Sequence, residues 1–116
     1  MKTNAYILDW TLTDYAEVKQ ALIDIAFWFE LEREDSKHLR VAVPYPRVDE
    51  FAALVRRYLN APCNYVDVQY PDRQCTVLIF KAKKFVITSA EENEQAKIWA
   101  LAQGLPPEQA DWPMSF

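Results

Sequence analysis

Ala26-Phe27-Trp28-Phe29-Glu30-Leu31-Glu32-Arg33 is followed, after Glu34-Asp35-Ser36, by Lys37-His38-Leu39-Arg40-Val41-Ala42-Val43-Pro44. Phe27, Phe29 and Leu31 alternate with neighbours of the other kind, and so do Leu39, Val41 and Val43. A period of two is the mark of a half-buried strand. With Glu34-Asp35-Ser36 as the loop, Leu31 faces Leu39, Phe29 faces Val41 and Phe27 faces Val43. On the reverse side Glu30 meets Arg40 and Glu32 meets His38. Apolar pairs on one side and opposite charges on the other suit a hairpin with one face in a core. The loop lacks glycine, although aspartate tolerates the left-handed conformation. A competing reading continues the preceding helix, because Ile25 to Phe29 is apolar all round and Glu30-Leu31-Glu32-Arg33 would extend it. The two-sided pairing favours a hairpin of residues 26–33 and 37–44.

Upstream, Ala5-Tyr6-Ile7-Leu8-Asp9-Trp10-Thr11-Leu12 reads as a strand rich in aliphatic and aromatic residues. Asp14 with Glu17 forms a capping box, and Tyr15, Val18, Leu22 and Ile25 follow at helical spacing. Downstream, Pro44-Tyr45-Pro46 ends the hairpin, because proline donates nothing to a ladder. Val48, Phe51, Ala52, Val55 and Leu59 then mark an amphipathic helix over 47–60. A second hairpin turns at Pro71-Asp72-Arg73-Gln74, which suits a type I turn. Its register pairs Tyr70 with Cys75, Val68 with Val77 and Val66 with Ile79 on one face. Tyr65 with Phe80, Asp67 with Leu78 and Gln69 with Thr76 occupy the other. Lys81-Ala82-Lys83-Lys84 offers no residue suited to a tight reversal, so Cys75 to Thr88 reads as one long, bulged strand. Ser89 with Glu92 caps a last helix, whose apolar stripe is Ile98, Leu101, Ala102 and Leu105. Gly104 supplies its left-handed stop, with Pro106 just beyond.

The resulting order is β-α-β-β-α-β-β-α. Its first six elements follow the split βαβ pattern, a ferredoxin-like core, and the last two extend the sheet. The expected class is α+β: two layers, a mainly antiparallel sheet of about five strands, helices on one face. Residues 1–116 read as one domain, with 106–116 a short aromatic tail.

Composition narrows the chemistry. The chain holds one glycine, Gly104, and one histidine, His38. Phosphate-cradling loops need several glycines and clustered imidazole sites need several histidines, so dinucleotide fingerprints, P-loops and His-rich metal sites are excluded. Hydrophobic residues form 51% of the chain, ample for a core. A net charge of −4 disfavours a nonspecific nucleic-acid binder. The N-terminus carries no recognisable signal peptide and no stretch is long enough for a membrane span, which leads to an expected cytoplasmic location. Cys63 and Cys75 are expected to be free, since the second hairpin sets Cys63 opposite Ala82 and far from Cys75.

Four groups of side chains could carry chemistry. Asp9, Glu30 and Glu32 could gather around Mg²⁺ or Mn²⁺ in a phosphoesterase, yet they lack diagnostic ligand spacing. His38 is the one ready general base near neutral pH, with Ser36 two residues away, but shows no triad pattern. Arg56, Arg57, Lys81, Lys83 and Lys84, beside Tyr65 and Phe80, supply the ingredients of single-strand nucleic-acid binding. Lysines guarding an edge strand are the plainer explanation. Trp28, Tyr45, Trp112 and Phe116 are the candidate protein-interface anchors, because this many large aromatics exceed what one small core holds. Trp112 and Phe116 could instead fold back over the body's own apolar edge. The reading that follows is a non-catalytic binding or regulatory module without metal or cofactor. Its partner would be another protein or a second copy in a homodimer, with nucleic acid as the alternative and no membrane contact.

Overall fold

The computed structural model describes residues 2–115. Six strands form one antiparallel sheet: β1 (Ala5–Leu8), β2 (Phe27–Glu32), β3 (Lys37–Ala42), β4 (Tyr65–Tyr70), β5 (Cys75–Phe80) and β6 (Lys84–Ile87). The helices are α1 (Tyr15–Leu22), α2 (Val48–Tyr58) and α3 (Ala90–Ala102). The sheet order is β2-β3-β1-β4-β5-β6, so the protein is α+β and its first four strands follow the split βαβ order.

Local chemistry places most boundaries. The Asp14 side chain accepts from the Glu17 N–H at 3.1 Å and starts α1. The Ser89 hydroxyl accepts from the Glu92 N–H at 3.2 Å, while Glu92 takes the Thr88 N–H in return. Gly104, at φ +97°, stops α3, and the Leu105 N–H reaches the Ala100 carbonyl at 3.2 Å. The β4–β5 hairpin has the anticipated register in all six pairs, from Tyr65–Phe80 to Tyr70–Cys75.

Two cores lie on opposite faces of the sheet. On one, Val18 and Leu22 of α1 and Phe51 and Val55 of α2 cover Ile7, Leu39, Val41, Val66, Val68, Val77 and Ile79. On the other, Ala96 and Ala100 of α3, with Leu105 and Trp112, cover Leu78, Phe80 and Ile87. The helices therefore occupy both faces rather than one. The reason is the β4–β5 hairpin: both sides of β5 are buried, so a second cover is required.

Three further expectations are corrected. Residues 75–88 form two strands, because the chain reverses at Lys81-Ala82 and the Phe80 N–H donates to the Lys83 carbonyl at 2.9 Å. Arg56 of α2 donates through Nε and Nη2 to the Lys81 and Ala82 carbonyls at 3.2 and 3.0 Å. That guanidinium supports a turn for which the local sequence carries no signal.

The β2–β3 hairpin is out of the expected register by one residue. Phe27 pairs with Ala42, Trp28 with Val41, Phe29 with Arg40, Glu30 with Leu39 and Leu31 with His38. The Arg33 N–H closes the loop on the Ser36 carbonyl at 2.8 Å, and the Lys37 N–H is held by the Asp9 carboxylate at 3.0 Å. One residue of slip exchanges the faces of the whole strand.

The third correction concerns α3. Ile98 and Leu101, expected inside, are 62% and 43% exposed, while Ala96 and Ala100 face the sheet.

Candidate protein-interaction surface

On the face that bears α3, the helix and the tail cover only the β4–β5–β6 half. The half built from β2, β3 and β1 has no cover of its own. Its side chains follow from the pairing. Phe29 lies beside Arg40, Arg40 beside Tyr6, and the Ala5–Val68 pair sets Tyr6 beside Asp67. The next row runs Leu31, His38, Leu8.

Phe27 and Phe29 are 49% and 41% exposed, with ring centroids 6.5 Å apart. The Arg40 guanidinium lies 4.8 Å from the Tyr6 ring centroid. It enters no ion pair among the described residues. The surface is thus a small aromatic floor with one cation at its centre, next to the exposed edge of β2.

A concavity of about 350 Å³ borders this floor on the tail side, where Tyr6, Trp10, Tyr65, Asp67 and Asp111 contribute to its walls. Burial raises the Asp67 carboxyl above the usual aspartate range, against the Gln69 amide that donates to it at 2.7 Å. Burial, then the charges of Asp111 and Asp67, push the Tyr65 hydroxyl up to about 12. It donates to the Gln109 carbonyl at 2.9 Å and so ties the tail to β4. No helix among the described residues is long and apolar enough to cross a membrane.

The proposed anchors do not meet on this surface. Trp28 is half-buried on the opposite face, packed against the α1–α2 core. Tyr45, 37% exposed, stands in the β3–α2 connection, edge-on to Tyr70 at 5.1 Å and with the Arg73 guanidinium over one ring face at 3.9 Å. Trp112 is 5% exposed, and its indole N–H donates to Asn93 Oδ1 at 2.7 Å. It is core rather than an exposed anchor. Phe116 lies outside the described residues.

The basic residues cluster around the β5–β6 turn but are partly engaged within the fold. Arg56 holds the turn, Lys84 pairs with Asp49 at 2.5 Å, and Lys83 lies over the Phe85 ring at 4.9 Å. Arg57 and Lys81 are exposed. Phe80 is fully buried, and Tyr65 is half-buried on the tail side, edge-on to Trp112 with ring centroids 5.4 Å apart, so the two do not form the paired stacking platform expected beside the lysines.

The acidic set does not converge. Asp9 binds the Lys37 N–H, whereas Glu30 is held on the α1 face by the Tyr15 hydroxyl at 2.6 Å and Lys19 at 3.0 Å. Those partners, Tyr15 first, hold the Glu30 carboxyl below its usual range. No group of three or more metal-ligating side chains gathers among the described residues. His38 Nε2 and Ser36 Oγ are 2.9 Å apart, and the imidazole stands edge-on to Tyr6 at 5.0 Å. Its Nδ1 is buried without a partner, so no third group orients the pair as a nucleophile and base require.

The residues that sequence reasoning missed are Phe27, Phe29 and Leu31, which it assigned to the core. The available signal was the loop: closing it over Arg33–Ser36 turns these three outward. No protein family, characterised protein or solved structure matches the chain.

Proposed function

We propose that this protein is a non-catalytic protein-binding module whose recognition surface is the bare β2–β3–β1 half of the sheet. The observation that carries the reading is the exposure of Phe27 and Phe29, side by side on a sheet face whose other half is covered. Burying large aromatic area from both partners is the main driving force of association, and aromatic and arginine anchors dominate interface energetics. Tyr6 and Arg40 add an amphipathic centre of that kind. The exposed edge of β2 offers backbone groups to an incoming strand as well.

The test is cross-linking in lysate of cells that express the protein, read by mass spectrometry. Lys2 is exposed at the border of the floor, where it lines a shallow cavity together with Tyr6 and Arg40. The reading expects links from Lys2 to another polypeptide, a second copy included, that disappear in a Phe27→Ser/Phe29→Ser variant. Both changes are at exposed positions, so the variant is expected to keep its circular dichroism. Links that survive unchanged in the double variant reject the reading.

A further inference from the structure

Two segments of this chain turn their more apolar side to solvent. In β2 these are Phe27 and Phe29, and in α3 they are Ile98 and Leu101, 62% and 43% exposed. Ile98 is two residues from Ala96 and two from Ala100, so it projects about 160° around the helix from the sides that touch the sheet. Glu91 and Glu94 precede Ile98 by seven and four residues and share that outer strip; both are exposed, and neither enters an ion pair among the described residues. The bare floor carries the complementary set: exposed phenylalanines around Arg40, a cation that also lacks a carboxylate partner.

We infer that the occupant of the bare half-sheet is α3 of a second copy, giving a two-fold dimer in which each α3 is clasped between its own β5–β6 and its partner's β2–β3–β1. This rests on the reading of the floor as a protein-binding surface. The two sheets face one another and the two helices share the layer between them. A two-fold operation brings the covered half of one sheet over the bare half of the other, so both seats form at once and neither is left open to a third copy.

Outward Ile98 and Leu101 meet Phe27 and Phe29, and the first turns of α3 bring Glu91 and Glu94 to Arg40. Opposite charges set across an interface in this way fix orientation as well as adding attraction. A thirteen-residue helix is about 20 Å long. It rests on a floor three strands, or roughly 15 Å, wide. Counting both surfaces of both seats, a helix about 10–12 Å across buries on the order of 800–1,000 Å², the size of a weak, concentration-dependent interface.

The experiment is sedimentation velocity on the full chain over a concentration series. The expected result is a concentration-dependent dimer, weakened about tenfold or more by Ile98→Arg and by Arg40→Glu. Adding Glu91→Arg and Glu94→Arg to Arg40→Glu should restore it, because the pairing is then reversed rather than lost. All of these positions are exposed, and circular dichroism confirms that each variant is folded. A wild-type protein that stays monomeric overturns the inference, as does a dimer indifferent to Ile98→Arg. If the wild type is monomeric while Lys2 still links to a different protein through Phe27 and Phe29, the dimer fails and the binding reading stands. If those links are also absent, both fall.

Discussion

Asp67 occupies a position where one oxygen is held by an amide and no cation lies close enough to form an ion pair. Arg40, two strands away, rests over Tyr6 instead. Burial therefore raises the folded-state pKa of Asp67 above its unfolded value. For an acid, a raised pKa means that ionisation opposes folding; the penalty is absent at low pH and fully present once the pH exceeds the folded pKa. Asp67→Asn should therefore raise the thermal midpoint at neutral pH. The gain should shrink as the pH falls through the folded pKa and be gone below about 3.9, where the wild-type carboxyl is protonated in both states. Thermal melts across a pH series measure this, and a gain independent of pH would show that charge is not its cause. Glu30 has the opposite sign. The Tyr15 hydroxyl and Lys19 stabilise its ionised form, so its contribution holds at neutral pH and is lost in acid.

The β5–β6 hairpin shows an element that depends on a neighbour. Its reversal at Lys81-Ala82 uses no positive φ and no glycine, and its two outward carbonyls are satisfied by Arg56 from α2. Each is a charge-assisted hydrogen bond, but the site is exposed, so together they contribute about 1–2 kcal/mol. Arg56→Ala should loosen β6 locally before it lowers global stability. Amide hydrogen exchange at Lys84–Ile87 is expected to quicken by roughly tenfold, with α1 little changed. Equal exchange in both proteins would mean that the turn stands without the guanidinium. The β2–β3 loop teaches a related lesson. Its closure over Arg33–Ser36, with Asp9 gripping the Lys37 N–H, sets which side of β2 meets the core. Pairing preferences along the strands alone favoured the other side.

The fold as a unit depends on the tail as much as on the sheet. Trp112 stands edge-on to Tyr65, with Phe80 close by, and bonds Asn93 of α3, so it joins helix, sheet and tail in the second core. Trp112→Ala should cost about 3–5 kcal/mol, the usual range for deleting a buried indole. Trp112→Phe keeps an aromatic ring but leaves buried Asn93 without its donor, for a loss of about 1–3 kcal/mol. Urea denaturation orders these variants, and a Trp112→Ala midpoint equal to wild type would contradict the burial of the indole. The element order through β5, the caps of α1 and α3, the Gly104 stop and the β4–β5 register could be read from the chain, because capping, turn geometry and periodicity act over a few residues. The aromatic excess pointed to an interface, yet of the expected anchors Trp28 is half-buried against the α1–α2 core and Trp112 packs inside. Which face of β2 and of α3 turns outward was set by long-range packing. A strand repeats every two residues and a helix has apolar residues to offer on more than one side, so local preference leaves the choice nearly degenerate. Contacts between α1 and β2, and between α3 and β5, then break the tie.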